Sequence, residues 1–205
     1  MTTVPQMPLV ETLQVLHSVR SDEVVVTAMG VSREWMRLSS HPLDFNLVPS
    51  SMGQATGLGL GLALAQPRQG VIVCNGDGST LMNLGSLVTI TAQAPQNLTL
   101  MIFDNGIYEV TGAQTTPGSA GSRQDGHSLD FASVAGSCGF RSLYEFDDLN
   151  RWRAGARSVI DDPGPTCVVL RIAPIPGAVG PRSPGPGRQR AIDFSAALNN
   201  GPLTD

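Results

Sequence analysis

The segment Val71-Ile-Val-Cys-Asn-Gly-Asp-Gly-Ser-Thr80, followed 28 positions after Asp77 by Asn105 in Leu100-Met-Ile-Phe-Asp-Asn-Gly-Ile-Tyr108, constrains this chain more than any other feature. Two short apolar runs of buried-strand character each end in side-chain oxygen donors. Between them Thr80 to Ala94 has the length of one helix, so the stretch predicts a β-α-β unit. A parallel crossover of that kind brings both strand ends to the same edge of a sheet. There Asp77 and Asn105 would converge on one hard cation such as magnesium, which takes oxygen ligands and keeps phosphate oxygens and water in its octahedron. Gly76 and Gly78 let backbone N–H groups approach an anion at the start of the helix. Asp-Gly is also ordinary turn chemistry, but turns alone do not account for both halves of the pattern after two apolar strands.

The flanking sequence extends the alternation. Pro8 to Val19 has helical spacing, Glu23 to Thr27 is a β-branched run, and Met29-Gly30 reads as a turn into a short helix with Ser32 as its cap. Phe45 to Val48 is a further strand. Met52 to Ala65 is a helix in which Gly53, Gly57, Gly59 and Gly61 would thin one face for a packed neighbour, since each glycine costs roughly 1 kcal/mol against Ala. Gly106 to His127 reads as a long loop, of a length that is often functional. Helix, strand, helix and strand then follow at Asp130–Ser137, 141–145, 147–161 and 166–172. The expected fold is α/β, a doubly wound parallel sheet. Residues 1–172 are expected to form one domain, and 173–205 a Pro/Gly-rich arm ending in a short helix, either in solvent or across another subunit.

All 13 basic residues are Arg and the net charge is −4, so neither a nucleic-acid surface nor a polybasic membrane contact is expected. The absence of Lys excludes a Schiff-base enzyme built on this chain alone, and also a P-loop. Gly57-Leu-Gly59-Leu-Gly61 lacks the spacing of a dinucleotide fingerprint. Cys74, Cys138 and Cys167 lack metal spacing and read as buried reduced thiols. With no signal-like N-terminus and no apolar run of spanning length, a cytoplasmic protein is expected.

From Val24 to about Ile172 the order of motifs resembles the diphosphate-binding domain of thiamin diphosphate enzymes, in particular the sulfopyruvate and phosphonopyruvate decarboxylases. The resemblance is carried by Met29-Gly30 with Ser32-Arg33-Glu34, by Ser51-Met52-Gly53 with Gly57 to Ala65, and by Gly76-Asp77-Gly78-Ser79 with Leu81-Met82-Asn83-Leu84-Gly85-Ser86-Leu87. Asp104-Asn105-Gly106 with Tyr108, and Thr111-Gly112-Ala113-Gln114-Thr115, complete it. It implies that Asp77, the Asn105 side chain and the backbone carbonyl of Ile107 hold Mg2+. It also implies that Gly30, Ser32, Gly76, Gly78 and Ser79 cradle the diphosphate of thiamin diphosphate. Met52 would be the apolar wedge under the bent cofactor, and the Ser50 carbonyl would accept from its 4′-amino group; relatives often carry Gly where this chain has Ser50.

Enzymes of this kind also need a Glu from a pyrimidine-binding domain. The resemblance therefore implies a hetero-oligomer in which a separate α subunit supplies that Glu, and neither Glu34 nor Glu109 is assigned the role. The implied activity is that of the β subunit of a 2-oxo acid decarboxylase, with 3-sulfopyruvate, sulfoacetaldehyde and carbon dioxide as the leading substrate and products. Phosphonopyruvate, another 2-oxo acid, a carboligase reaction or a non-catalytic cofactor-binding regulatory subunit are the alternatives. A small anionic substrate needs a cation for its second anionic group, for which Arg33, Arg37, Arg123 and Arg182 are the candidates. His127 is a candidate proton donor, with surface charge as the competing reading for all five.

Overall fold

The computed structural model describes residues 6–49 and 52–199. Seven parallel strands form one sheet. Strands β1 (Met7–Pro8), β2 (Val24–Ala28), β3 (Asp44–Leu47), β4 (Val71–Gly76) and β5 (Leu98–Asp104) precede a two-residue antiparallel pair, β6 (Ile107–Tyr108) and β7 (Gln114–Thr115). Strands β8 (Ser142–Phe146) and β9 (Thr166–Ala173) complete the sheet. The spatial order is β3-β2-β4-β5-β9, with β8 and β1 sharing the outer edge of β9. Near-continuous runs of Val, Ile and Leu are what a sheet covered on both faces requires.

Alternate side chains feed two cores. Val24, Val26, Val71, Val73, Leu98, Leu100 and Ile102 meet helices α3 (Ala55–Ala65), α5 (Ser86–Gln93), α6 (Phe131–Ser137) and α8 (Gly187–Asn199). Val25, Ile72, Cys74, Met101 and Phe103 meet α1 (Leu9–Val19), α2 (Met29–Leu38) and α7 (Leu149–Asp161) on the other face. Fully burying each such aliphatic side chain stabilises by roughly 1.5–3 kcal/mol. Trp35 and Trp152 are fully buried, and Trp152 donates from its indole N–H to the Thr12 carbonyl at 3.0 Å, tying α7 to α1. Cys74 and Cys167 are buried free thiols, both pushed up by burial, whereas Cys138 is only half-buried.

Four expectations change in detail. Helix α2 begins directly at Met29, which turns the chain with φ +57°, and Ser32 lies one turn inside it instead of at its cap. The Ser32 hydroxyl is 2.8 Å from Thr27 Oγ1, so it ties the helix to the end of β2. The single helix expected after Thr80 is two, α4 (Asp77–Met82) and α5, because Asn83 leaves helical geometry and spends its side chain on the Gly53 carbonyl at 2.8 Å. The expected loop after Gly106 contains the β6–β7 hairpin, whose turn is closed by Gln114 Nε2 donating to the Thr111 carbonyl at 3.1 Å. The residues after Ala173 cross back over their own sheet: α8 packs Phe194 edge-on against Phe45, at 5.0 Å between centroids, and Arg190 donates to the Asn46 and Val48 carbonyls.

The glycines of α3 do not share one face. At 100° per residue Gly57 and Gly61 point one way and Gly59 the opposite way. A Cβ on Gly59 would lie 2.1 Å from Val73 Cγ2, whereas one on Gly57 or Gly61 meets nothing within 4 Å; Gly53 precedes the helix with φ +77°. Gly59→Ala is expected to destabilise the chain by about 1–3 kcal/mol through overpacking. Gly57→Ala and Gly61→Ala are expected each to stabilise it by about 0.4–1 kcal/mol, all read by urea unfolding of the isolated chain.

Candidate functional site

From β2 the chain runs outward to β3 and returns through α3 to β4 on the other side of β2, so the topology switches direction between β2 and β4. In open parallel sheets ligands bind beyond the carboxyl ends of the strands at such a point. The cleft found there is lined by Gly30 after β2, by Gly76, Asp77, Gly78 and Ser79 after β4, by Asn105 and Ile107 after β5, and by Met52 before α3. Ser32 does not line it, and Ser50 lies outside the described residues.

Asp77 opens α4 and is almost fully buried. Its carboxylate accepts from the backbone N–H groups of Gly78 and Asn105 and from the Thr116 hydroxyl, at 3.0 Å to Oδ2. Burial, and next the neighbouring charge of Asp104, push its pKa up to about 7 against those three donors. Asp104 is itself raised by burial and opposed by Arg171, 3.0 Å away. Asn105 Oδ1 accepts from the Ile107 N–H at 3.0 Å, which folds the loop so that Ile107 also lines the cleft, and the amide oxygen keeps a second lone pair. An acid, an amide and a peptide carbonyl on this rim are all hard oxygen donors. A buried carboxylate held only by dipoles, with no cation among its partners, fits a divalent ion.

Two contacts shape the floor. Ser79 Oγ accepts from the Gly53 N–H at 2.9 Å, and Asn83 holds the Gly53 carbonyl, so the Met52-Gly53 turn is pinned to α4 and Met52 borders the cleft. The Tyr108 ring lies on Gly78, where a Cβ would sit 2.4 Å from Cε1. Only glycine permits that approach.

Comparison with known proteins agrees with this geometry. The model of the thiamine pyrophosphate enzyme C-terminal TPP binding domain matches residues 27–170. The chain belongs to this family. A phosphonopyruvate decarboxylase of Streptomyces hygroscopicus is 42% identical over 154 residues, covering 74% of this chain and 35% of that protein. The sulfopyruvate decarboxylase subunit beta of Methanothermobacter thermautotrophicus is 42% identical over 142 residues, covering 69% of this chain and 71% of that subunit. The chain thus spans about a third of the first relative's length. An X-ray structure of a protein from Mycobacterium smegmatis, assigned as a thiamin diphosphate-dependent enzyme, superposes with a TM-score of 0.65 at 21% identity over 82% of this chain and 32% of that one; it supports the fold alone.

In this thiamin diphosphate-binding domain the sequence-predicted residues Gly30, Met52, Gly76, Asp77, Gly78, Ser79, Asn105 and Ile107 come together. The candidate anion ligands do not. Arg33 is buried against Glu34 and Glu109 and donates to the Val179 carbonyl; Arg37 pairs with Glu34, and Arg123 with Asp125. Arg182 and His127 are exposed and outside the cleft. Leu9, Phe103, Tyr108, Glu109 and Val110 line the cleft without having been singled out for it, because apolar and acidic residues of these types carry no spacing signal. Among the described residues no helix is long and apolar enough to cross a membrane.

An unfolded Asp titrates near 3.9, and Asp77 in the fold titrates near 7. Between those values the folded state holds a proton that the unfolded state has lost, so the Asp77 contribution to stability falls as pH rises from about 4 to 7. Asp77→Asn is expected to flatten that decline and to melt several degrees above wild type at pH 8 without ligand. Calorimetry across pH reads both, and a wild-type slope retained in the variant would refute the assignment.

Proposed function

We propose that this chain is the diphosphate-binding β subunit of a thiamin diphosphate-dependent 2-oxo acid decarboxylase. It acts on 3-sulfopyruvate to give sulfoacetaldehyde and carbon dioxide, and a separate α subunit supplies the activating Glu. The observation that carries this reading is the meeting of Asp77, Asn105 and Ile107 with Gly30, Gly78, Ser79 and Met52 in one cleft at the switch point. Asp77, the Asn105 amide and the Ile107 carbonyl hold Mg2+. The N–H groups at Gly30 and Ser79 donate to diphosphate oxygens, as peptide dipoles at helix starts do, beside Gly78, whose own N–H serves the Asp77 carboxylate. Met52, half-buried and pinned through Gly53, would bear on the cofactor from the floor of the cleft, and the role proposed for the Ser50 carbonyl falls outside the described residues. When bound, the cofactor supplies the carbon nucleophile and the electron sink for carbon dioxide loss.

Two observations favour a split site. The cleft encloses about 50 Å3, well below the roughly 300–1,000 Å3 of pockets closed around small ligands, so this chain covers the cation end and leaves the remainder to another surface. Relatives named as beta subunits also have lengths close to the matched region, with 71% and 83% of the Methanothermobacter thermautotrophicus and Methanococcus maripaludis subunits covered. No Arg lines the cleft among the described residues. The cation for the sulfonate is therefore expected from the partner. Phosphonopyruvate is the second reading, favoured by the equally similar Streptomyces hygroscopicus relative.

Titration calorimetry of thiamin diphosphate with Mg2+, into the chain alone and co-expressed with its α subunit, tests the assignment. Metal-dependent binding is expected, with carbon dioxide release from 3-sulfopyruvate only in the assembled pair and loss of both on Asp77→Ala. Faster turnover of phosphonopyruvate would transfer the activity to the second reading, and binding without turnover of any 2-oxo acid would leave a regulatory subunit. No binding in either preparation would overturn the cation site.

A further inference from the structure

We propose that Thr116 is a positioning residue for the cation: its hydroxyl sets the orientation of the Asp77 carboxylate and ties that orientation to the seating of the β6–β7 hairpin. The inference rests on the reading of Asp77, Asn105 and Ile107 as Mg2+ ligands. Thr116 is fully buried although it follows five exposed residues, 111–115. Its Oγ1 donates to Asp77 Oδ2 at 3.0 Å, from 39 positions away in the chain. Its N–H donates to the Gly106 carbonyl at 2.9 Å, and its carbonyl accepts from the Ser119 N–H at 2.9 Å, so the backbone that carries the hydroxyl is fixed on both sides.

The side chain is fixed as well. A Cβ on Gly78 would lie 3.2 Å from Thr116 Cγ2, which places the methyl group against the turn that carries Asp77. With the methyl there, the hydroxyl is directed at the carboxylate. Among the described residues Asp77 otherwise accepts only backbone donors, from Gly78 and Asn105, each belonging to its own strand-end turn. Thr116 is the side chain that joins those loops to the far strand of the hairpin. It donates to Oδ2 and, with its own backbone held on both sides, fixes the carboxylate plane. Groups that orient a metal ligand in this way commonly contribute 10- to 100-fold to affinity.

The hairpin base adds a second consequence. Gly106 and Thr116 are hydrogen-bonded across it, and Asn105 and Ile107, two of the three proposed ligands, flank Gly106. The hydroxyl therefore adds, beside the Asn105 N–H, a side-chain tie between the third ligand, on the β4 turn, and the hairpin base that follows the other two.

Mn2+ uptake followed by electron paramagnetic resonance in the presence of thiamin diphosphate tests this, using the full chain alone and together with its partner subunit. Thr116→Val, nearly isosteric but without the hydroxyl, is expected to weaken Mn2+ affinity about 10- to 100-fold and to change the spectrum of the bound ion. Thr116→Ala should do the same if the valine variant does not fold, and Thr116→Ser should restore wild-type affinity and line shape. A residue that served only the fold would lower the melting temperature and leave the bound-ion spectrum unchanged. Wild-type affinity and spectrum in a folded Thr116→Val or Thr116→Ala protein would overturn the inference while leaving the cation site standing. Absence of Mn2+ uptake by the wild type in both preparations would overturn the site and this inference together.

Discussion

The Asp77 carboxylate is the constraint around which the rest of this structure is arranged. A charge this deeply buried is expensive unless it is compensated, and among the described residues the compensation comes from dipoles: two peptide N–H groups and one hydroxyl. Each compensating group comes from a different piece of chain, namely the start of α4, the end of β5 and the end of the hairpin. The hairpin lies close enough to do this because Gly78 has no side chain to meet Tyr108. The Met52 turn lies close enough because Ser79 in α4 and Asn83 just past its end, two and six residues after Asp77, hold both backbone groups of Gly53. One strand-to-helix turn therefore organises three separate segments around itself.

The strands were legible in the sequence because a parallel sheet covered on both faces leaves nearly unbroken aliphatic runs, and Val71 to Cys74 and Leu98 to Phe103 are such runs. The rim of the cleft was legible for a related reason: oxygen donors placed directly after two such runs come to the same sheet edge. What was not legible depended on partners far away in the chain. Ser32 has the composition of a helix cap, but Thr27 on the preceding strand offered its hydroxyl a partner. Asn83 breaks the helix after Thr80 because its amide is spent on Gly53, thirty residues earlier. Thr116 sits in a run of small polar residues with no periodicity, and only the closed hairpin brings its hydroxyl to Asp77.

The glycines of α3 show the limit of pattern reading in a different way. Their spacing invited the inference of a single thinned face, yet the helix turns Gly59 toward Val73 and Gly57 and Gly61 away from it. A helix that is apolar all round carries no amphipathic signal to say which side is which. The charged residues near the cleft raised a similar ambiguity, and burial resolved it: Arg33 is matched by Glu34 and Glu109, and Arg171 by Asp104 and Glu145.

That matching bears on how the proposed cation site would be filled. The two charged side chains that line the cleft, Asp77 and Glu109, are both acidic, and the nearby guanidinium groups already serve carboxylates. A diphosphate approaching this rim alone would meet like charge at short range, a penalty that grows as the surrounding dielectric falls. Peptide N–H dipoles at Gly30 and Ser79 offset only part of it. A divalent cation reverses the sign of the problem: it satisfies the buried carboxylate and presents positive charge to the phosphate oxygens in the same place. On this electrostatic ground, in the proposed reading, the metal would be the bridge on which cofactor affinity depends, with the acidic rim favouring the metal-bound form of the diphosphate over the free anion.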